Sequence, residues 1–278
     1  MILSVSRRTD IPAFHWQWFK NAIAQGRLEV VNPYNPRQRR PVVLSPDSVD
    51  AIVFWSKAPQ APLEDFRWLK RLGYRFCFHF TINGYPEALE PNLPALADRI
   101  HYLFELAELL PTGAVIWRYD PVCITSITPP QFHVDQFGNL GLKLRDCVTR
   151  VVVSKVDLYP KVVKRLKHLA SRGITMPSPD QLELQTHTVM QALGNIAREL
   201  GLEIQSCCEP DSPHDWHIPR GKCIDEELIN SLFGLNLHYR RHYGQRQDCM
   251  CTHSLDVGSY SMCFHGCVYC YANPSRPM

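Results

Sequence analysis

Residues 51–81 read AIVFWSKAPQAPLEDFRWLKRLGYRFCFHFT. Ala51 to Trp55 is an apolar run without alternation, as expected of a strand covered on both faces. Ser56 and Lys57 stop it. Leu63 to Leu72 carries a helical pattern and ends at Gly73, a usual helix stop. Arg75 to Thr81 is a second strand. The stretch is therefore one strand–helix–strand unit, which implies parallel pairing and a right-handed crossover.

The same alternation extends in both directions. Upstream, Ile2 to Val5 reads as a strand ending at Ser6-Arg7-Arg8-Thr9-Asp10. Pro12 suits the first turn of the next helix, Phe14, Trp18 and Ile23 approximate its apolar stripe, and Gly26 ends it. Leu28 to Val31 and Pro41 to Leu44 flank Asn-Pro-Tyr-Asn-Pro (32–36) and the basic run Arg37 to Arg40. They predict a β-hairpin or long loop whose arginines are a solvated tip rather than a phosphate clamp. Downstream, helices near 93–110, 130–145, 160–171, 180–200 and 225–233 alternate with strands near 114–117, 148–153 and 202–206. Six strands in this pattern predict an α/β fold: a partial (β/α)6-type parallel barrel over residues 1–246, with residues 247–278 as a tail packed on its mouth.

Every predicted strand ends in polar residues, and in a parallel barrel those ends share one mouth. They are Arg7, Arg8 and Asp10; Ser56 and Lys57; Thr81 and Asn83; Arg118 and Asp120; Lys155 and Asp157; and Cys207, Cys208 and Glu209.

The tail carries the chemistry. Asp248 to Asn273 reads DCMCTHSLDVGSYSMCFHGCVYCYAN and holds five of the eleven cysteines. Cys263, Cys267 and Cys270 are spaced C-x3-C-x2-C. Three thiolates can hold three irons of a [4Fe–4S] cube, leaving one iron open to a chelating small molecule. Gly266 removes a Cβ where the loop must turn tightly. A structural zinc site fits less well, because its ligands usually come as paired knuckles. Cys207, Cys223, Cys249 and Cys251 form a second set, for another cluster or zinc, with Cys208 able to replace Cys207. Cys77, Cys123 and Cys147 read as core, as does His79. His265, inside the loop, reads either as a partner of the cluster or as a solvated residue.

The C-x3-C-x2-C spacing with an aromatic before the third cysteine resembles the radical S-adenosylmethionine signature. GCVYCYAN is similar to the cluster loop of the spore photoproduct lyase branch. The whole chain resembles an uncharacterised, radical-SAM-like bacterial family, through SRRTDIPAF (6–14), NPYNP (32–36), IVFWSKAP (52–59), WRYDPV (117–122), CIDEELI (223–229) and the tail. The resemblance implies a cytoplasmic enzyme in which a reduced cluster cleaves S-adenosylmethionine and a radical attacks an unidentified small molecule. A flavodoxin- or ferredoxin-like reductant would supply the electron.

On that reading Cys263, Cys267 and Cys270 are the ligands and Tyr269 contacts adenine. Ser6, Asp10, Lys57, Asn83, Arg118 and Glu209 are candidates to bind the cofactor, and Arg8, Asp120 and Lys155 are candidate catalytic residues. Asp10 has an alternative role as a helix cap. In the resembled family the cysteine loop follows the first strand, whereas here it ends the chain. Either the tail folds back across the mouth, or the fold is permuted. Two other classes stay open: a cluster-carrying electron-transfer protein, and a nucleic-acid lesion repair lyase.

Composition bounds the rest. The 278 residues are 45% hydrophobic and 21% charged, with a net charge of +3, values of an ordinary globule with no demand for nucleic acid. No apolar run reaches the ~20 residues of a membrane span, and MILSVSRRTDIP lacks the long apolar region of a signal peptide. Eleven cysteines without such a signal point to a reducing compartment.

Overall fold

The computed structural model describes residues 1–33, 35–210, 212–243 and 245–273, with the backbone alone at Pro36. Tyr34 of the 32–36 string and residues 274–278 of the tail lie outside it. The strands are β1 (Ile2–Val5), β2 (Arg27–Asn32), β3 (Asn35–Val43), β4 (Ala51–Ser56), β5 (Phe76–Thr81), β6 (Val115–Val122), β7 (Arg150–Lys155), β8 (Glu203–Ser206) and β9 (Leu255–Asp256). The helices are α1 (Ile11–Phe14), α2 (Trp16–Gln25), α3 (Leu63–Arg71), α4 (Leu96–Leu109), α5 (Pro130–Leu144), α6 (Pro160–Ala170), α7 (Pro179–Glu199), α8 (Ser212–Asp215) and α9 (Glu226–Phe233).

Seven strands form one sheet in the order β8-β7-β6-β5-β4-β1-β9. Every neighbouring pair is parallel. Among the described residues β8 and β9 are its end strands and do not pair with each other, so the sheet is an open, partial α/β barrel. The sequence predicts six strands. The seventh, β9, has only two residues and pairs with β1 through Leu3–Leu255 and Ser4–Asp256. Two residues carry no readable periodicity, so neighbouring side chains must specify this strand.

The central strands form because they are buried on both faces. Phe54, Phe76, Phe78, Phe80 and Trp117 are all within 1% of fully buried. Trp117 stacks on Phe137 at 4.8 Å, locking β6 to α5. Such ring pairs add about 0.5–1.5 kcal/mol beyond the area they bury. Helix α3 buries Phe66 and Leu69 and has Glu64 and Asp65 in its first turn and Lys70 and Arg71 in its last, complementing the helix dipole. Helix α7 begins with a capping box between Ser178 and Gln181.

The first helical segment differs from expectation. His15 breaks it into α1 and α2, which shifts the helical phase. Trp16, Phe19, Ala22 and Ile23 form the buried face, and Trp18 is 44% exposed. The predicted hairpin is present as β2–β3, a separate antiparallel pair. Arg37, Arg39 and Arg40 are exposed, and Arg39 pairs with Glu29 at 2.7 Å, as befits a solvated tip. Among the described residues no helix is long and apolar enough to cross a membrane.

A buried histidine joins α5 to β6. His133 Nδ1 shares a hydrogen bond of 3.0 Å with the Tyr119 hydroxyl, and burial pushes its pKa down from 6.5 to about 4. Between those values the unfolded chain binds a proton that the folded chain refuses. The stability tied to neutral His133 is therefore complete above pH 6.5 and is lost as the pH falls towards 4. At 1.36 kcal/mol per pH unit the loss is about 3 kcal/mol. In urea unfolding, the stability gap between wild type and His133→Gln should shrink by that amount from pH 7 to pH 4, and a gap independent of pH would refute the assignment.

Candidate functional site

The tail reaches the mouth through one carboxylate. Asp256 of β9 accepts hydrogen bonds from Ser4 Oγ (2.9 Å), Ser6 Oγ (2.6 Å) and Arg7 N (2.9 Å). The Arg7 and Arg8 guanidiniums lie 3.6 and 3.7 Å from it. Thr9 Oγ1 donates to Ser259 O. Gly258 is required next to this clamp, because a Cβ there would sit 2.0 Å from Ser6 Oγ. The end of β1 thus holds the tail, and the Ser6 hydroxyl and the Arg8 side chain already serve that purpose.

Beyond Gly258 the chain crosses the mouth. Asn92 Nδ2, on the loop after β5, donates to Phe264 O at 2.9 Å, and Val268 N donates to Leu89 O at 3.0 Å. On α6, Arg165 Nε donates to Val268 O at 2.8 Å, and Arg165 Nη2 donates to Cys270 O. Gly266 has φ +70°, as a tight turn there requires, and a Cβ would also lie 3.1 Å from both Pro91 and Asn92. Cys267 and Tyr269 are buried with Tyr85, Leu89, Cys123, Val156, Val162, Leu166 and Leu169 in a small apolar cluster apart from the main core.

Cys263, Cys267 and Cys270 are thereby gathered on one loop at the carboxyl ends of the strands. Cys267 is buried and the other two are half-buried. Burial pushes the Cys263 thiol up to about 12 and raises Cys267 well above its ordinary value. A metal would have to displace those protons. Among the described residues no three histidine, cysteine, aspartate or glutamate side chains are arranged to hold a metal ion as they stand. The three thiols must turn inward to do so. The donor set nevertheless fits an iron–sulfur cluster in kind. His265 within the loop keeps a buried Nδ1 with no hydrogen-bond partner among the described residues. In the tautomer that donates Nε2–H to Asp10 this atom is an acceptor, which an N–H or O–H of a bound group would satisfy.

A buried polar network supports the loop. His265 is 3% exposed, which excludes the solvated reading, and its Nε2 meets Asp10 Oδ2 at 2.7 Å. Asp10 Oδ2 also accepts from Ser56 Oγ and Lys57 N, while Oδ1 caps α1 through Ala13 N. The capping role predicted for Asp10 is present, and both its oxygens are occupied by this chain. Lys57 Nζ bonds Glu90 Oε1 at 2.9 Å and lies over the Tyr269 ring at 5.4 Å. Tyr269 OH donates to Glu90 and accepts from Asn83 Nδ2 at 3.2 Å. At 4% exposure the Tyr269 ring is an anchor, meeting Tyr85 edge-on. Asn83 Oδ1 accepts from Asp120 N at 2.9 Å, Arg118 pairs with Asp120 at 2.5 Å, and Ser154 Oγ donates to Asp120. Ser6, Asp10, Lys57, Asn83, Arg118, Asp120 and Tyr269 are therefore brought into one region.

Lys155 and Glu209 form a separate pair. Lys155 N donates to Glu209 Oε1 at 3.1 Å, and Lys155 Nζ lies 3.7 Å from Glu209 Oε2. Burial pushes the Glu209 carboxyl up to about 7. Both residues line a cavity of about 910 Å³ with Asp157, Trp216 and Met176. Its walls include Val156 and Leu166, which also touch the apolar cluster around Cys267.

The second cysteine set also converges, with Cys223 Sγ 3.1 Å from Cys207 Sγ. Cys77 and Cys123 are core as predicted, whereas Cys147 is only half-buried. His79 is a satisfied core histidine bonded to Cys223 O at 2.7 Å.

Glu90 and Asp256 escape sequence reasoning. The one signal for each is a carboxylate in a strand-end segment: Glu90, with Glu87, in TINGYPEALEP (81–91), and Asp256 alone in SLDVG (254–258). Glu90 is 3% exposed and its removal strands Lys57 in the interior. Breaking a buried pair from one side costs about 3–5 kcal/mol. Glu90→Ala should lose about that much in urea unfolding. Glu90→Gln, which still accepts from Tyr269, should lose less, and equal stability of all three proteins would deny the pair its role.

No curated protein matches the chain significantly. A family model does, over residues 2–272. By that match the chain belongs to the family described as Domain of unknown function (DUF1848).

Proposed function

We propose that the protein is a radical S-adenosylmethionine enzyme acting on a small molecule. The observation behind this reading is the position of its cysteine loop. The C-x3-C-x2-C segment follows β9 at the carboxyl end of a parallel sheet, where ligands of such sheets bind. In the family that the loop resembles, the cysteines follow the first strand. With β9 taken as first, the order β9, β1, β4, β5, β6, β7, β8 runs without interruption, and the barrel is a permuted one.

Cys263, Cys267 and Cys270 would hold three irons of a [4Fe–4S] cluster, leaving the fourth open to the cofactor. The chemistry such a cluster supplies is one-electron reduction of the sulfonium, which starts radical reaction on a substrate. This chain's residues then have definable tasks. The Asp10–His265 pair and the Lys57–Glu90–Tyr269 network orient the loop and exclude water from its inner side. Lys57 offers positive charge for a carboxylate and Asp120 an acceptor for an ammonium group, whereas Ser6, Arg8 and Asn83 are held by the chain's own contacts. The cavity lined by Lys155, Asp157, Glu209 and Trp216 suits a substrate with both charged and apolar parts. A flavodoxin- or ferredoxin-type protein would deliver the electron.

Anaerobically reconstituted protein with dithionite should convert S-adenosylmethionine to 5′-deoxyadenosine. Alanine at Cys263, Cys267 and Cys270 together should abolish this and remove about four irons per chain. A reconstituted cluster that yields no deoxyadenosine, and whose spectrum ignores S-adenosylmethionine, would leave only electron transfer or binding.

A further inference from the structure

Five cysteines outside the loop converge from three separate stretches. Cys207 and Cys208 follow β8, Cys223 precedes α9, and Cys249 and Cys251 lead towards β9. Cys223 Sγ is 3.1 Å from Cys207 Sγ. Cys223 and Cys251, Cys251 and Cys249, and Cys249 and Cys208 are near enough to perturb one another electrostatically. The five thiols form one continuous chain of neighbours. Cys223, Cys249 and Cys251 are at most 8% exposed, and Cys207 and Cys208 are half-buried.

Hydrogen-bond donors face these sulfurs, while neighbouring thiols and burial keep Cys207, Cys223, Cys249 and Cys251 protonated as thiols, protons that a metal would displace. Arg118 Nη1 donates to Cys223 Sγ at 3.1 Å, and Ile224 N donates to Cys251 Sγ at 3.5 Å. The Arg246 guanidinium is close enough to Cys208 and Cys207 to interact electrostatically. Both guanidiniums are held by carboxylates, Arg118 by Asp120 and Arg246 by Asp157, each at 2.5 Å. Apolar packing alone requires neither convergent thiols nor a buried guanidinium donating to one of them. Cys208 has φ +59°, a left-handed conformation that costs a non-glycine residue energy and tends to persist where surrounding structure requires it.

We propose that Cys207, Cys223, Cys249 and Cys251 hold a second metal in an all-thiolate shell, with Cys208 beside it as the spare thiol. The ligand class is a soft metal, zinc or iron, which thiolates select over harder ions. No three of these side chains enclose a common point as they stand. Binding draws a chain of sulfurs into a shell by side-chain rotation. For a tetrahedral ion at ~2.3 Å from sulfur, the ligands lie roughly 3.8 Å apart. The Cys207 and Cys223 sulfurs, 3.1 Å apart, would move roughly 0.7 Å further apart to reach that spacing. The metal would fasten the exit of β8, the entry of α9 and the approach to β9 to one point. Its binding energy would then count as folding energy for the tail.

The site is independent of the cofactor reading and is tested without it. The full chain carrying alanine at Cys263, Cys267 and Cys270 is purified anaerobically and analysed for metals. It should keep about one zinc, or about four irons, per chain. Adding Cys223→Ser and Cys251→Ser should abolish the retained metal. Should that variant fail to fold, wild-type protein is alkylated with iodoacetamide and mapped by mass spectrometry. Cys207, Cys223, Cys249 and Cys251 should be protected when zinc or iron is loaded and exposed by a chelator, while Cys147 reacts alike in both. Retained zinc or iron supports the site in either case. A metal-free loop variant, metal that survives the two serines, or alkylation indifferent to metal would each overturn it.

Discussion

The tail is part of the sheet because Asp256 accepts from both hydroxyls and one backbone amide at the end of β1. A two-residue strand cannot hold itself by ladder hydrogen bonds, each of which contributes only about 1 kcal/mol net. A carboxylate 7% exposed, by contrast, is costly unless its acceptors are filled. Asp256 therefore tolerates one register, in which Ser4, Ser6 and Arg7 fill them. The path of the cysteine loop follows from that choice, since Gly258 and Ser259 leave the clamp already directed over the mouth.

Across the mouth the same logic recurs with opposite sign. Burial disfavours charge on Lys57, but Glu90 outweighs it and raises the ammonium pKa, while Lys57 helps depress that of Glu90. Each ion is tolerable only because the other is present. Tyr269 joins them and fixes the residue between two cysteines. Buried ion pairs are poor sources of net stability but are strongly geometric. Here the geometry they impose is the placement of the loop, beside the apolar cluster that buries Cys267 and Tyr269.

Much of the fold was legible because strands covered on both faces become continuous apolar runs. β1, β4, β5, β6, β7 and β8 could be read in that way. β9 could not, since Leu255 and Asp256 are too few to show a period. The break at His15 was hidden as well, because no glycine or proline marks it, and Trp18 was placed inward in consequence. At the site, cysteine spacing is a local property and could be read along the chain. The value of Glu90 and Asp256 lies in partners 33 and roughly 250 positions away, which no local pattern encodes. Ser6, Asp10 and Tyr269 were found as site residues, but their atoms proved to be engaged with the chain itself.

Joining β9 to β1 also orders events during synthesis. The strand made first has its final neighbour among the residues made last, 252 positions on. Until then β1, with Ile2, Leu3 and Val5 each at most 1% exposed in the finished protein, has one open edge. An apolar strand with unpaired amides invites pairing with other chains. Nascent protein thus carries an aggregation hazard that ends only once Leu255 and Asp256 have emerged to pair with β1, and a chain cut short before residue 255 keeps it.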